Sequence, residues 1–186
     1  MKSINNYLST VIKYDYITKF NKKIKIYSPK VIKIVLTFDI KNSTNIDLIS
    51  SCLALELITK QKPYILLNKA NNKINLKIKS GVPIGCKVTL RKNAANNFLF
   101  SMFWNKFPIA TNFDKSLYIG DNIHQNTVHY SYNNLSSFSF INDNYNLFKY
   151  LNKLNISIIT NSKDSNVTLF ITNALKIPTK KSYNVC

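Results

Sequence analysis

Glycine, arginine and acidic residues are nearly missing from this sequence. Three glycines in 186 residues leave no glycine-rich loop to cradle a nucleotide phosphate, and Gly81 with Gly85 matches no nucleotide fingerprint. Arg91 is the sole arginine and Glu56 the sole glutamate. The eight acids, Asp15, Asp39, Asp47, Glu56, Asp114, Asp121, Asp143 and Asp164, stand singly, so no recurring carboxylate pair offers a general acid and base. Three cysteines, Cys52, Cys86 and Cys186, are too widely spaced for a paired framework or a CxxC metal knuckle, which favours a reducing compartment. No run of 18 apolar residues occurs: 48–58 is cut by Glu56, and 98–104 is too short to span a bilayer. A soluble or surface-bound protein is expected. The first 20 residues are acid-poor and amphipathic, as a transit peptide would be, but contain no Arg and end in no cleavage-like site, so they are read as mature structure.

What is present is cation and apolar bulk. Twenty-six Lys plus Arg against eight acids give a formal charge of +18, and 45% hydrophobic with 12% aromatic residues is enough for one core. A single domain over 1–186 is expected, with a short basic tail at 180–186. Collagenous, disulfide-stapled and repeat architectures are excluded. So large a charge repels itself and is usually offset by a polyanion, either nucleic acid or an anionic membrane surface. All but one of the cations are Lys, and 27 residues are Asn. With Ile, Tyr and Phe abundant and Gly, Ala and Arg scarce, this is the skew of an AT-rich coding sequence, such as an organellar genome. Codon drift would supply Asp and Glu as readily as Lys, so drift alone does not account for the excess.

The spacing of Ile4, Leu8, Val11 and Ile12 predicts an amphipathic helix over 4–20, followed by a cationic link that Pro29 ends. The β-branched run Val31, Ile32, Ile34, Val35, Leu36, Phe38 suits a strand buried on both faces, with a buried helix left open by periodicity alone. Asn45 can cap a second helix whose stripe Ile46, Ile49, Leu53, Leu57 is expected to face the core, with Pro63 beyond its end. Over 73–79, Ile74, Leu76 and Ile78 alternate with Lys73, Asn75, Lys77 and Lys79; after the turn at 81–83, Cys86, Val88 and Leu90 alternate with Lys87, Thr89 and Arg91. The two segments read as a hairpin-like pair with an apolar and a cationic face. Hydroxyls interspersed among the cations make that face suited to phosphate contacts, though a solvated sheet face would look similar. A helix is expected over 93–107, a long polar loop ending in a strand over 109–137, and a short helix capped by Asp143 through Leu151. A strand at 156–160 and a last helix opened by Asp164, with Val167, Phe170, Ile171 and Leu175 on one side, complete the reading.

Catalytic and metal sets are not found. Asp121, His124 and His129 lie close in sequence, but a His-x4-His in a polar loop lacks the helical placement of a zinc hydrolase. Cys86 falls on the apolar side of its strand, where a thiol is an inert small hydrophobe. No cofactor, no metal and no enzymatic activity are expected. Lys87, Thr89 and Arg91 stand where the common four-stranded RNA-recognition domain would carry stacking aromatics, so backbone and shape recognition of RNA fits better.

The segments 61–63, Gln-Lys-Pro, and 83–91, Pro-Ile-Gly-Cys-Lys-Val-Thr-Leu-Arg, resemble the family of the large-subunit ribosomal protein that binds 5S rRNA, number five in the bacterial series. The similarity runs over 4–179: 29–36 resembles the family's first strand, and 154–160 with Lys163-Asp164 its last strand and helix opening. The resemblance implies an α+β fold, an antiparallel sheet with helices on one face and a concave RNA-binding face on the other. It implies a place in the central protuberance of the large subunit, with 5S rRNA, large-subunit rRNA, neighbouring central-protuberance proteins, a small-subunit head protein and P-site tRNA as partners, and no membrane. By position, Gln61, Lys62, Thr89 and Arg91 match the family's 5S rRNA surface, and Thr37 stands where the family has Asn; Lys77, Lys79 and Lys87 add cations. Asn68, Lys69, Asn71, Asn72 and Lys73 occupy the loop that approaches tRNA, here Asn-rich. The stretches 108–115 and 128–134 depart from the family pattern. A mitochondrial, organelle-encoded ribosomal protein is the expectation, with the same protein of an AT-rich bacterium as the alternative within the family; a general nucleic-acid-binding or peripheral-membrane basic protein is the alternative from another class, and an RNA-modifying enzyme stands behind both.

Overall fold

The structure is a computed structural model and describes residues 7–20, 30–40, 45–68, 80–102, 117–119, 126–133, 135–162 and 164–175. Among the described residues, six strands form one antiparallel sheet: β1 Val31–Asp39, β2 Tyr64–Leu67, β3 Pro83–Arg91, β4 Leu117–Ile119, β5 Thr127–Tyr132 and β6 Leu154–Thr160, in the order β2-β3-β1-β6-β5-β4. The helices are α1 Lys13–Phe20, entered through a π turn at Leu8–Ile12, α2 Asn45–Thr59, α3 Lys92–Leu99, α4 Ser139–Asp143, α5 Tyr145–Phe148 and α6 Ser165–Ala174. This is an α+β fold, as the sequence led one to expect.

Period-two patterning sorts the sheet into two faces. In β1, Ile34, Leu36 and Phe38 are buried opposite Leu90, Val88 and Cys86 of β3 and Ile158, Ile156 and Leu154 of β6. Val128, Tyr130 and Tyr132 of β5 extend the row. Ile12 and Tyr16, Ala54 and Leu55, Phe98 and Leu99, and Val167 and Ile171 join these strand residues in a single core, so the helices share one side of the sheet. β1 is therefore buried on one face only, not on both as its composition predicts. Lys33, Val35 and Thr37 remain half-buried on the other face, because β-branched content marks a strand without saying which layers cover it.

α2 turns the opposite way from its apolar stripe. Ile46, Ile49, Leu53 and Leu57, expected in the core, are 72%, 65%, 41% and 43% exposed; Ser50, Ser51, Ala54 and Leu55 are buried. The helix carries large apolar residues nearly all round, so periodicity does not choose its face. Small residues let it approach the filled sheet closely, and the two buried serines bond within the helix, Ser50 to the Asp47 carbonyl at 3.1 Å and Ser51 to that of Leu48 at 2.9 Å. Satisfied hydroxyls lose little on burial.

Other boundaries also moved. The strand expected at 73–79 lies outside the described residues, and the strands found beside β3 are β1 and β2. β2 and β4 were not anticipated. α3 continues helically to 102, and the rest of the helix expected to 107 lies outside the described residues, as do the cationic link before Pro29 and the basic tail. Asp143 ends α4 instead of capping a helix, and Asn144 separates α4 from α5 with its side chain bonded to the Phe140 carbonyl at 3.1 Å. At the chain ends, the Tyr7 hydroxyl donates to the Ala174 carbonyl at 3.2 Å and Tyr16, Phe20 and Phe170 form an aromatic cluster, docking α1 on α6.

Candidate nucleic-acid interface

The register of the strands aligns the half-exposed face into cross-strand rows. The first runs Tyr64, Lys87, Thr37, Asn155, Ser131; the second Thr89, Val35, Ser157, His129; the third Arg91, Lys33, Ile159, Thr127. Thr37, Lys87, Thr89 and Arg91, singled out from sequence, thus meet on one surface. Lys87 Nζ sits 5.4 Å from the centroid of the Tyr64 ring, a cation–π arrangement that steadies the side chain.

Hydrogen bonds knit the side chains of the face together. His129 Nδ1 lies 2.9 Å from Ser157 Oγ, the Ser131 hydroxyl donates to Asn155 Oδ1 at 2.9 Å, and Asn155 Nδ2 donates to Asp39 Oδ2 at 2.7 Å. Asp39 closes the far end of β1, where Asn152 Nδ2 also donates to its carbonyl at 2.5 Å. The cations of Lys33 and Arg91 stand at the opposite end of the strand pair, so the face is positive at one end and tied off by an amide-bonded carboxylate at the other. Such a surface offers cations, hydroxyls and amides side by side, the donor set that meets phosphate and ribose oxygens.

Two backbone details place this surface. Gly85 pairs with Asp39, and a Cβ there would stand 2.5 Å from the Phe38 carbonyl oxygen, so β1 and β3 approach as closely as they do only over a glycine. Arg91 is extended, with φ −136° and ψ 160°, and Lys92 turns the chain into α3 at φ 49°, in the left-handed region. Arg91 is thereby the last residue of its strand and exposed.

Gln61 and Lys62 are exposed in the link between α2 and β2, where the Gln61 amide donates to Thr59 Oγ1 at 3.2 Å. Tyr64, two residues on from Lys62, pairs with Lys87. Gln61 also lines a cleft of about 550 Å³ between the end of α2 and α3, walled by Leu90, Ala94 and Phe98. Asn68 lies at the other end of β2. Its amide donates to the Val82 carbonyl, and its carbonyl accepts from Gly81, each at 2.9 Å, with Gly81 at φ +83°. Lys69, Asn71, Asn72, Lys73, Lys77 and Lys79 lie outside the described residues.

Lys33, Tyr64, His129, Ser131, Asn155 and Ser157 belong to this face and are not among the RNA contacts expected from sequence, where His129 is weighed only as a metal ligand. Lys33 sits in a strand readable from sequence, whereas Tyr64 lies in a short strand with no alternation; only the register shows that all six adjoin Thr37 and Arg91. His129 bonds to Ser157 on this face, whereas Asp121 and His124 lie outside the described residues. Cys86 is fully buried on the core side, where desolvation pushes its thiol from 9.0 up to about 12, with Ser51 and Cys52 beside it. It stays a protonated packing residue.

No family model matches the chain. Among known proteins, it is 29% identical over 184 residues to the large ribosomal subunit protein uL5m of Reclinomonas americana, covering 97% of this chain and 100% of that protein. Against uL5 of Wigglesworthia glossinidia brevipalpis the identity is 32% over 166 residues, and against uL5 of Borrelia garinii 31% over 171 residues, covering in each case 88% of this chain and 90% of the relative. Likeness at that level over nearly the full length of both proteins, together with the antiparallel α+β fold, makes the chain a structural, non-enzymatic component of the large ribosomal subunit and a member of the uL5 family.

Proposed function

We propose that this chain is the uL5 protein of a mitochondrial ribosome and that it holds 5S rRNA on the open face of its sheet. The observation that carries the reading is the convergence of Thr37, Lys87, Thr89 and Arg91, with Lys33 beside them, on one surface of a chain with charge +18. Gln61 and Lys62 extend the contact at the β2 edge, and Lys77 and Lys79 supply further phosphate contacts. Recognition is electrostatic and by shape: the cations neutralise phosphates, Arg91 binds one bidentately, and the hydroxyl and amide rows meet ribose. The mitochondrial setting is supported by the full-length similarity to the Reclinomonas protein and by the Lys- and Asn-rich composition. The segment after Asn68, with Lys69, Asn71, Asn72 and Lys73, is proposed to reach toward P-site tRNA, and the central-protuberance proteins, large-subunit rRNA and the small-subunit head are the remaining proposed neighbours.

Sedimentation of a mitochondrial lysate at moderate and high salt, with this protein followed by mass spectrometry, tests the reading. Co-migration with the large subunit, and release together with 5S rRNA as salt rises, is the expected result. Recovery with anionic membranes, or binding of any duplex with the same affinity as 5S rRNA, would favour a general basic protein instead.

A further inference from the structure

The outward side of α2 carries a row of large apolar residues. It lies on the helical layer, across the sheet from the cationic face, and presents Ile46, Ile49, Leu53 and Leu57 largely to solvent. Their spacing of three, four and four residues is that of a helix-pairing seam. α5, which packs beside α2, adds exposed Tyr145 and Leu147.

Charge selects the occupant. Residues 45–59 contain no Lys or Arg, although the whole chain has 26 basic residues, and the chain's only glutamate, Glu56, is exposed three residues on from Leu53 and seven from Ile49, at the margin of the stripe. Ile and Leu offer nothing to phosphate, and a carboxylate at the margin repels it, which argues against RNA as the occupant. A second copy would bring two chains of charge +18 together with like acids flanking the same seam. We propose that this stripe is the docking surface for a basic amphipathic helix of another large-subunit protein, its apolar residues seated among Ile49, Leu53 and Leu57 and a Lys or Arg paired with Glu56. The proposal rests on membership of the uL5 family.

A photo-crosslinking residue placed at Leu53, and separately at Ile46 near the exposed start of the helix, tests this in purified large subunits. The expected product joins both positions to one Lys- or Arg-rich helical segment of a different ribosomal protein. Glu56→Lys should lower its yield about fivefold while RNA affinity stays within about twofold. Crosslinks to rRNA, to a second copy or to residues of this same chain, or the absence of a dominant product in subunits that contain the protein, would overturn the docking proposal alone. Absence of the protein from the subunits would overturn the ribosomal assignment and this proposal with it.

Discussion

Arg91 and Lys92 are adjacent in sequence and differ in what their backbones allow. Arg91 ends β3 extended and exposed, level with Lys33 on the open face, while Lys92 turns away at φ 49°. A guanidinium can grip a phosphate with two parallel bonds and stack on a base; an ammonium acts as a point charge. Arg91→Lys is therefore expected to weaken 5S rRNA binding about tenfold, and Lys92→Ala about two- to threefold. A filter-binding titration at fixed salt compares them, and equal or reversed losses would remove Arg91 from the proposed interface. Arg91 was legible in the sequence because it is the lone arginine. Lys33 was not, since one lysine among many gains meaning only from the strand beside it.

Among the elements, α2 shows where sequence patterning stops. An isolated helix with this sequence could bury either side, because Leu48, Leu53, Leu55, Leu57 and Ile58 surround it. The sheet decides: its buried row is already filled by large side chains, so the helix presents Ser50, Ser51 and Ala54 and fits Leu55 into the core. Leu55→Ala should cost about 2 to 4 kcal/mol, as truncation of a buried leucine does, whereas Leu53→Ala should cost less than about 1 kcal/mol. Urea unfolding of the two variants checks the orientation, and the reverse ranking would restore the stripe to the core. β1, β6 and α6 were readable for the opposite reason: their apolar residues occupy a single periodic face or a β-branched run flanked by polar residues. α4 and α5, each a turn or so long, leave too few residues for a period to register.

For the whole molecule, one core on one side of the sheet links stability to pH. Burial raises the Cys86 thiol from 9.0 to about 12, so its contribution to folding is complete below the ordinary thiol value and is lost as pH climbs from about 9 toward about 12. Desolvation also raises Tyr130 and Tyr132, which act in the same direction at higher pH. Cys86→Ala should be the less stable protein at pH 8, with the gap to the parent closing by up to about 1.4 kcal/mol per pH unit between pH 9 and 11. Denaturation curves across that range check it, and a constant gap would show that the thiol does not titrate with unfolding. The sequence by itself determined the charge, the absence of catalytic and nucleotide-binding sets, the main strands and the family, because composition and short segments such as 83–91 carry these without any knowledge of packing. The tertiary structure decided which face of each element is covered and which polar residues become neighbours. Strand order and register join residues far apart in the chain, such as Lys33 with Arg91 and Asn155 with Asp39, and no local period encodes that pairing.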